Sequence, residues 1–180
     1  MDNAYRLQSR RDVYRSRWLY LREDQVIRPD GGAATFGVIE MKAGSSVLAV
    51  NDRREVYLVK EYKYGIERYS TEVVSGAIES GENPLEAAQR ELREEAGLSA
   101  SEWIDLGVID PFTTIVRSPN HIFLALDVQP GESNPEDGEV LEGLLAPFAE
   151  AVEMVMRSEI THGASCVAIL KAARYFDRLH

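Results

Sequence analysis

The sequence predicts a mixed α/β or α+β sandwich. Three observations carry that prediction: strand-like alternation dominates residues 12–75, one amphipathic helix follows Gly76, and strands return before two further helix-like stretches. The strand runs succeed one another through short polar connections of the hairpin kind, which argues against a doubly wound parallel sheet.

Taken in order, Asp12 to Gly37 reads as a short antiparallel unit. VYRSRWLYLREDQVIRP alternates apolar and polar side chains, Pro29, Asp30, Gly31 and Gly32 supply a turn, and residues 33–42 return as the partner strand. SSVLAV and EVYLVKEY are expected core strands, joined through Asn51, Asp52, Arg53 and Arg54. Tyr69 to Ser75 is a further extended stretch, and after Gly76 the period changes. Asn83 can cap a helix, Pro84 suits its first position, and Glu86 is placed to complete a capping box. That helix should run to about Ala96, with Gly97 free to turn left-handed just beyond it. WIDLGVID and HIFLALDV are strands separated by a loop around Pro111 to Asn120. Gln129 to Gly138 is a polar loop, and PFAEAVEMVM and HGASCVAILKAARYF have helical spacing.

Composition bounds the function. The chain has 180 residues, 44% apolar and 28% charged, which suits one soluble domain. No run reaches the roughly 20 apolar residues that a membrane span needs. The polar, mixed-charge sequence MDNAYRLQSRRDVYRSRW is not a secretory signal, so a cytoplasmic location is expected. The single cysteine, Cys166, sits among apolar neighbours and is expected to be an inert, buried thiol. The net charge is −10, and it is uneven: residues 1–60 carry 11 basic and 8 acidic side chains, residues 61–180 carry 9 and 22. Such acidity repels a nucleic-acid backbone, and a phosphate-bearing substrate would need bound cations or a local basic cluster.

The stretch that carries chemistry begins at Gly76. Glu91, Glu94 and Glu95 lie three and four residues apart and share one helix face, while Leu85, Ala88, Leu92 and Ala96 form the opposite, apolar stripe. Like charges at this spacing repel by a few tenths of a kcal/mol per pair, about 0.2–0.5, and a divalent cation would reverse that sign. Mg²⁺ takes oxygen ligands, typically one or two carboxylates with waters and substrate phosphates. A solvated helix face is the alternative for an isolated E-x-x-E-E.

The full spacing is more specific. Gly76, five residues, Glu82, seven residues, then Arg90-Glu91-Leu92-Arg93-Glu94-Glu95-Ala96-Gly97-Leu98 resembles the Nudix box at all nine of its defined positions over 23 residues. The resemblance implies a Nudix α/β/α sandwich with a mixed sheet, acting by metal-dependent hydrolysis on nucleoside diphosphates linked to another group. It implies Mg²⁺, with Mn²⁺ as the alternative, held by Glu91, Glu94, Glu95 and the Ser75 carbonyl. Arg90 would orient these carboxylates, and Glu82 would assist through water or a salt bridge.

Outside the box the chain is similar to ADP-sugar pyrophosphatases. RWLYLRED and RPDGGAATFGVIE look like their amino-terminal strand unit, expected here over residues 1–42, with the hydrolase domain over 43–180; in that group the unit crosses to a partner, which implies a homodimer. Trp18 and Phe36 match aromatic positions that sandwich the nucleobase, a place in the hairpin core being the alternative. Lys63 stands where the group often has an arginine facing the diphosphate; a lysine keeps the attraction without the fork geometry. Glu139 matches a further catalytic glutamate that assists deprotonation of the attacking water or holds a metal, with Glu136 and Asp137 as alternatives. The chain departs from the pattern at Pro111-Phe112-Thr113-Thr114, where a Pro-Gly pair is usual, and an acidic residue is missing near Ser118, with Arg117 and His121 nearby instead. The expected substrate is thus a nucleotide sugar, ADP-ribose first, with GDP-mannose or another nucleotide sugar or dinucleotide as alternatives. A non-catalytic ADP-ribose sensor is the reading from a different class, and the intact glutamates speak against it.

Overall fold

The computed structural model describes residues 4–131 and 142–178. In chain order the elements are β1 (Arg6–Arg15), β2 (Leu19–Ile27), β3 (Ala33–Met41), β4 (Gly44–Val50), β5 (Glu55–Lys63), β6 (Arg68–Glu72), β7 (Val74–Ala77), α1 (Pro84–Ala96), β8 (Leu98–Ile109), β9 (Val116–Arg117), β10 (Asn120–Pro130), β11 (Glu142–Pro147), α2 (Phe148–Met156) and α3 (Gly163–Asp177), with a 3-10 turn at Tyr64–Ile66. They form two compact units, Met1–Ala43 with Asp110–Pro119, and Gly44–Ile109 with Asn120–His180.

The first unit is a four-stranded sheet in the order β1-β2-β3-β9, antiparallel except for the short parallel pair β3–β9. Here the structure corrects the sequence reading. The alternation through VYRSRWLYLREDQVIRP is not one strand, because the chain reverses at Ser16–Trp18. The Ser16 hydroxyl accepts from the Trp18 and Leu19 N–H groups, both at 3.2 Å, and the Ser16 N–H donates to the Leu19 carbonyl at 2.9 Å. Residues 6–15 thereby become a separate edge strand. Register shifts between Leu7 and Ser9 and between Asp12 and Tyr14 scramble its alternation, which is why no strand was legible before Asp12. The same turn leaves Trp18 58% exposed, so a hairpin-core role for that ring is excluded.

The second unit is an α/β/α sandwich. Its sheet runs β11-β5-β4-β10-β8, with β6 added to β5 and β7 to β4, and within it β4–β10 is a parallel pair. The expected stretch Tyr69–Ser75 is two strands, because the Val73 N–H leaves the ladder and donates to the Ser165 hydroxyl at 2.9 Å. On one face α1 packs Leu85, Ala88, Leu92 and Ala96 against Val47, Val59, Val74 and Phe123. On the other, α3 presents Ala164, Ala168 and Ala172, one turn apart, which lets the helix lie close over Leu48, Leu58, Ile122 and Leu124. The α2 helix packs beside it through buried Ala151.

Local chemistry sets α1. The Asn83 side chain accepts from the Leu85 and Glu86 N–H groups at 3.0 Å, and Glu86 reaches back to the Asn83 N–H at 2.9 Å, completing the capping box. Gly97 ends the helix at φ 63°, its N–H donating to the Arg93 carbonyl at 3.0 Å. Cys166 is half-buried, its thiol is 3.4 Å from the Ile160 carbonyl, and burial raises the thiol's pKa, so the thiolate is disfavoured. Among the described residues no helix is long and apolar enough to cross a membrane.

Leu92 is fully buried under the box helix. Leu92→Ala should therefore destabilise the protein by about 2–5 kcal/mol, whereas Asn83→Ala should cost about 1 kcal/mol. Urea unfolding followed by circular dichroism checks both, and similar values for the two variants would contradict this packing.

Candidate active site

In the second unit, β7 leads directly into the loop before α1, so the glycine end of the box and the carboxylate face of the helix are built side by side. The Arg90 guanidinium joins them. Its Nε donates to Glu82 at 2.9 Å and one terminal nitrogen donates to Glu82 at 3.1 Å and to the Ala77 carbonyl at 2.9 Å. The other terminal nitrogen donates to Glu91 at 2.8 Å and to Glu94 at 3.0 Å. These five bonds match the five N–H donors of the group. The Glu82 hydrogen bond, with Glu94 and Glu91 behind it, raises the guanidinium pKa, and the same contact with Arg90 lowers the Glu82 carboxyl. Glu82 also accepts from the Glu79 N–H at 3.0 Å, which closes the loop on itself.

Glu91 lies over bare backbone. A Cβ on Gly76 would stand 1.7 Å from Glu91 Oε1, so the carboxylate occupies the space that any other side chain would fill. Next to Gly76, the Ser75 hydroxyl lies 2.8 Å from Ser46 Oγ and 3.0 Å from the Val73 carbonyl, which holds this end of β7 against β4. Glu95, one turn on from Glu91, lines a cavity of about 410 Å³ with Tyr57, Val59, Ala96, Leu144 and Leu145.

Lys63 sits at the end of β5. Its ammonium donates to Glu61, and its pKa is raised: burial opposes the charge but is outweighed by Glu61, Glu72 and Glu95. Glu72 is buried and lies 3.3 Å from His162 Nδ1. Neither Glu72 nor His162 was singled out from the sequence. They are 90 positions apart, and the one signal for Glu72 was a carboxylate inside the apolar run TEVV.

The first unit holds a cavity of about 580 Å³ walled by Tyr5, Phe36, Val38, Thr113 and Thr114. Phe36 makes an edge contact with Tyr5, ring centroids 5.7 Å apart. Beneath it, Asp24 accepts from Arg10 at 2.7 and 2.9 Å and from Arg22 at 3.1 Å, and the Arg10 bonds lead in lowering the carboxyl's pKa. Arg22 in turn pairs with Glu40. Trp18 does not line this cavity: Leu19 pairs with Met41 and Asp24 with Phe36, so Trp18 lies near the far end of the same strands, about 20 Å away at strand rise. The sequence did not single out Tyr5, which precedes the first legible strand. Glu139, Glu136 and Asp137 lie outside the described residues.

With this geometry in hand, comparison with known proteins is decisive for the family. The Nudix domain model matches residues 41–163. The chain belongs to the Nudix hydrolase family. A second model, the nucleoside diphosphate sugar hydrolase N-terminal domain, matches residues 6–39. The chain is 32% identical to the ADP-ribose pyrophosphatase of Mycobacterium tuberculosis (strain ATCC 25618 / H37Rv) over 154 residues, covering 83% of this chain and 74% of that protein. It is 26% identical to the ADP-ribose pyrophosphatase of Bacillus subtilis (strain 168), covering 89% and 88%. The fold matches a crystal structure of an ADP compounds hydrolase with TM-score 0.87 at 21% identity, over 98% of this chain and 96% of that one.

The Nudix box residues fit a hard divalent cation. Among the described residues no three His, Cys, Asp or Glu groups converge into a ready-made cage, and here Arg90 draws Glu91 and Glu94 to itself. One guanidinium nevertheless faces three carboxylates, Glu82, Glu91 and Glu94, which leaves excess negative charge on a surface made of oxygen donors. The space above Gly76 admits a carboxylate and nothing bulkier on the backbone. A magnesium site needs only one or two carboxylates, the rest being water and phosphate oxygen.

Gly76→Ala separates site from fold. Because the obstructing atoms are the far end of a flexible side chain, Glu91 can swing away at small cost to stability, but it leaves its place. The expected result is a drop of about 100-fold in kcat/KM with a thermal midpoint within a few degrees of wild type. Full activity in Gly76→Ala would show that the position of Glu91 over Gly76 is not used.

Proposed function

We propose that this Nudix hydrolase cleaves the diphosphate of a nucleoside diphosphate sugar, ADP-ribose first, to give AMP and ribose 5-phosphate. The single observation that carries this is the complete box knotted by Arg90, with the pyrophosphatase relatives and the amino-terminal domain match narrowing the substrate. Glu91, Glu94, Glu95 and the Ser75 carbonyl would hold Mg²⁺, with Mn²⁺ as a substitute. When bound, the ion supplies charge screening for the diphosphate and lowers the pKa of the attacking water.

The chain's own residues supply the rest. Arg90 keeps Glu91 and Glu94 from splaying apart under their mutual repulsion. Lys63 keeps its proton because carboxylates surround it, and so offers a permanent positive charge to the diphosphate. Glu139 is our assignment for the group that takes the proton of the attacking water, by position in the sequence. The new P–O bond forms from that water, the bridging P–O bond breaks, and the departing phosphate takes the electron pair. For the first unit we assign Phe36 of one protomer and Trp18 of its partner to contact with the nucleobase. The Phe36 cavity supports that for Phe36; Trp18 is assigned on resemblance and on its exposed ring.

A homodimer is part of this reading. Every residue of β1 is exposed, Leu7, Val13 and Tyr14 among them, and such an edge calls for a partner. Light scattering at micromolar concentration should give twice the mass of the chain, and a monomer would overturn the dimer.

Incubation with Mg²⁺ and a panel of ADP-ribose, ADP-glucose, GDP-mannose and NADH tests the substrate. We expect ADP-ribose to turn over fastest and Glu95→Gln to lower kcat by at least about 100-fold. Faster turnover of GDP-mannose, to which the Pro111–Thr114 departure leaves room, would keep the chemistry and move the sugar nucleotide. Tight ADP-ribose binding without turnover would make the protein a sensor.

A further inference from the structure

Strand register puts Arg10, Asp24 and Phe36 in one row across β1, β2 and β3 of the first unit. All three line the same cavity of about 580 Å³. Directly opposite residues of an antiparallel pair present their side chains to one face, and neighbouring strands lie about 4.8 Å apart. The guanidinium and the aromatic ring therefore stand on either side of Asp24, with roughly 10 Å between their backbones.

Asp24 takes Arg10 side-on, accepting from Nε at 2.7 Å and from Nη2 at 2.9 Å. That pairing fixes the plane of the guanidinium and spends two of its five N–H groups. The remaining N–H groups, both on Nη1 and one on Nη2, are directed away from the carboxylate, and no described residue accepts from Nη1. Arg22 is placed differently. Its side chain is 10% exposed and gives Nε to Asp24 and Nη1 to Glu40, so it buttresses the carboxylate from below. The Arg10 side chain is 44% exposed, which makes it the cation of this cluster that a ligand in the cavity can reach.

The other walls make no fixed polar demand. Val26, Phe36 and Val38 are apolar, the Thr113 and Thr114 hydroxyls can donate or accept, and Asp24 already accepts three hydrogen bonds. A flat ring resting on Phe36 thus meets, in Arg10, a group that only donates. Its chemical complement is a heteroaromatic ring with an acceptor on the edge, and adenine and guanine share such an acceptor at N7.

We propose that Arg10 is a specificity-determining residue that reads the purine: held flat by Asp24, it donates from its free N–H groups to N7 of a base resting on Phe36. This rests on the reading of Phe36 as the nucleobase contact. The row supplies both halves of the recognition, a ring face from β3 and an edge donor from β1. No box residue takes part, so the loss of Arg10 shows in affinity and not in the chemical step.

The test pairs a change in the protein with a change in the base. With the full chain and Mg²⁺, replacing ADP-ribose by its 7-deaza analogue, which lacks the N7 acceptor, should raise the wild-type KM about tenfold with kcat within about twofold. Arg10→Met should raise KM for ADP-ribose by a similar factor and should no longer distinguish the two substrates. Isothermal titration of the metal-free protein with AMP and with 7-deaza-AMP makes the same comparison without turnover, and the wild type should bind AMP the more tightly. Equal KM for the two substrates in the wild type, a comparison that needs no variant to fold, would overturn the proposal, as would an Arg10→Met protein that keeps the full preference. Phe36→Ala tells the two readings apart. If it raises KM while the 7-deaza change has no effect, the cavity holds the base and Arg10 does not read it; if it leaves KM unchanged, the base lies elsewhere and both readings fall.

Discussion

The Arg90 guanidinium is the constraint on which the site depends. It is fixed to α1, and from there it reaches the loop before the helix through Glu82 and the end of β7 through the Ala77 carbonyl, while holding Glu91 and Glu94 on its own helix. A charged fork with fixed geometry suits this position where a lysine would not, because three directions must be satisfied in one plane. The consequence is that the spatial relation between strand, loop and helix is set by one residue. The carboxylates converge because a cation already within the fold collects them.

What was legible in the sequence was what local chemistry determines. Asn83, Pro84, Glu86 and Gly97 mark the helix ends by hydrogen bonds within a few residues, and the Glu91, Glu94, Glu95 face follows from helical period. The core strands β4, β5, β8 and β10 announced themselves by apolar runs. The edge strand β1 did not, because its bulges break the alternation and both its faces are exposed. The split between β6 and β7 was hidden for a different reason: Val73 looks like any strand valine, and what removes it from the ladder is Ser165 on a helix far along the chain. The same distance hid Glu72 with His162. Family resemblance singled out Lys63 as a candidate, but no pattern in the sequence could tell which carboxylates surround it.

The two units solve opposite electrostatic problems. In the first, Asp24 is held by Arg10 and Arg22, and Arg22 by Glu40, so buried charges beneath an aromatic cavity are matched and the cavity offers ring faces over a neutralised floor. In the second, carboxylates outnumber the cations beside them, around Arg90 and again around Lys63.

Gly76 carries a consequence at the level of the gene. Any change at the first or second base of a glycine codon either stops the chain or adds a Cβ, and at this position the Cβ would enter the space held by Glu91 Oε1. No conservative neighbour exists in the genetic code for this residue. In a saturation library scored for both abundance and turnover, the smallest substitutions at residue 76, alanine and serine, should therefore accumulate normally in the cell yet be lost from the active pool.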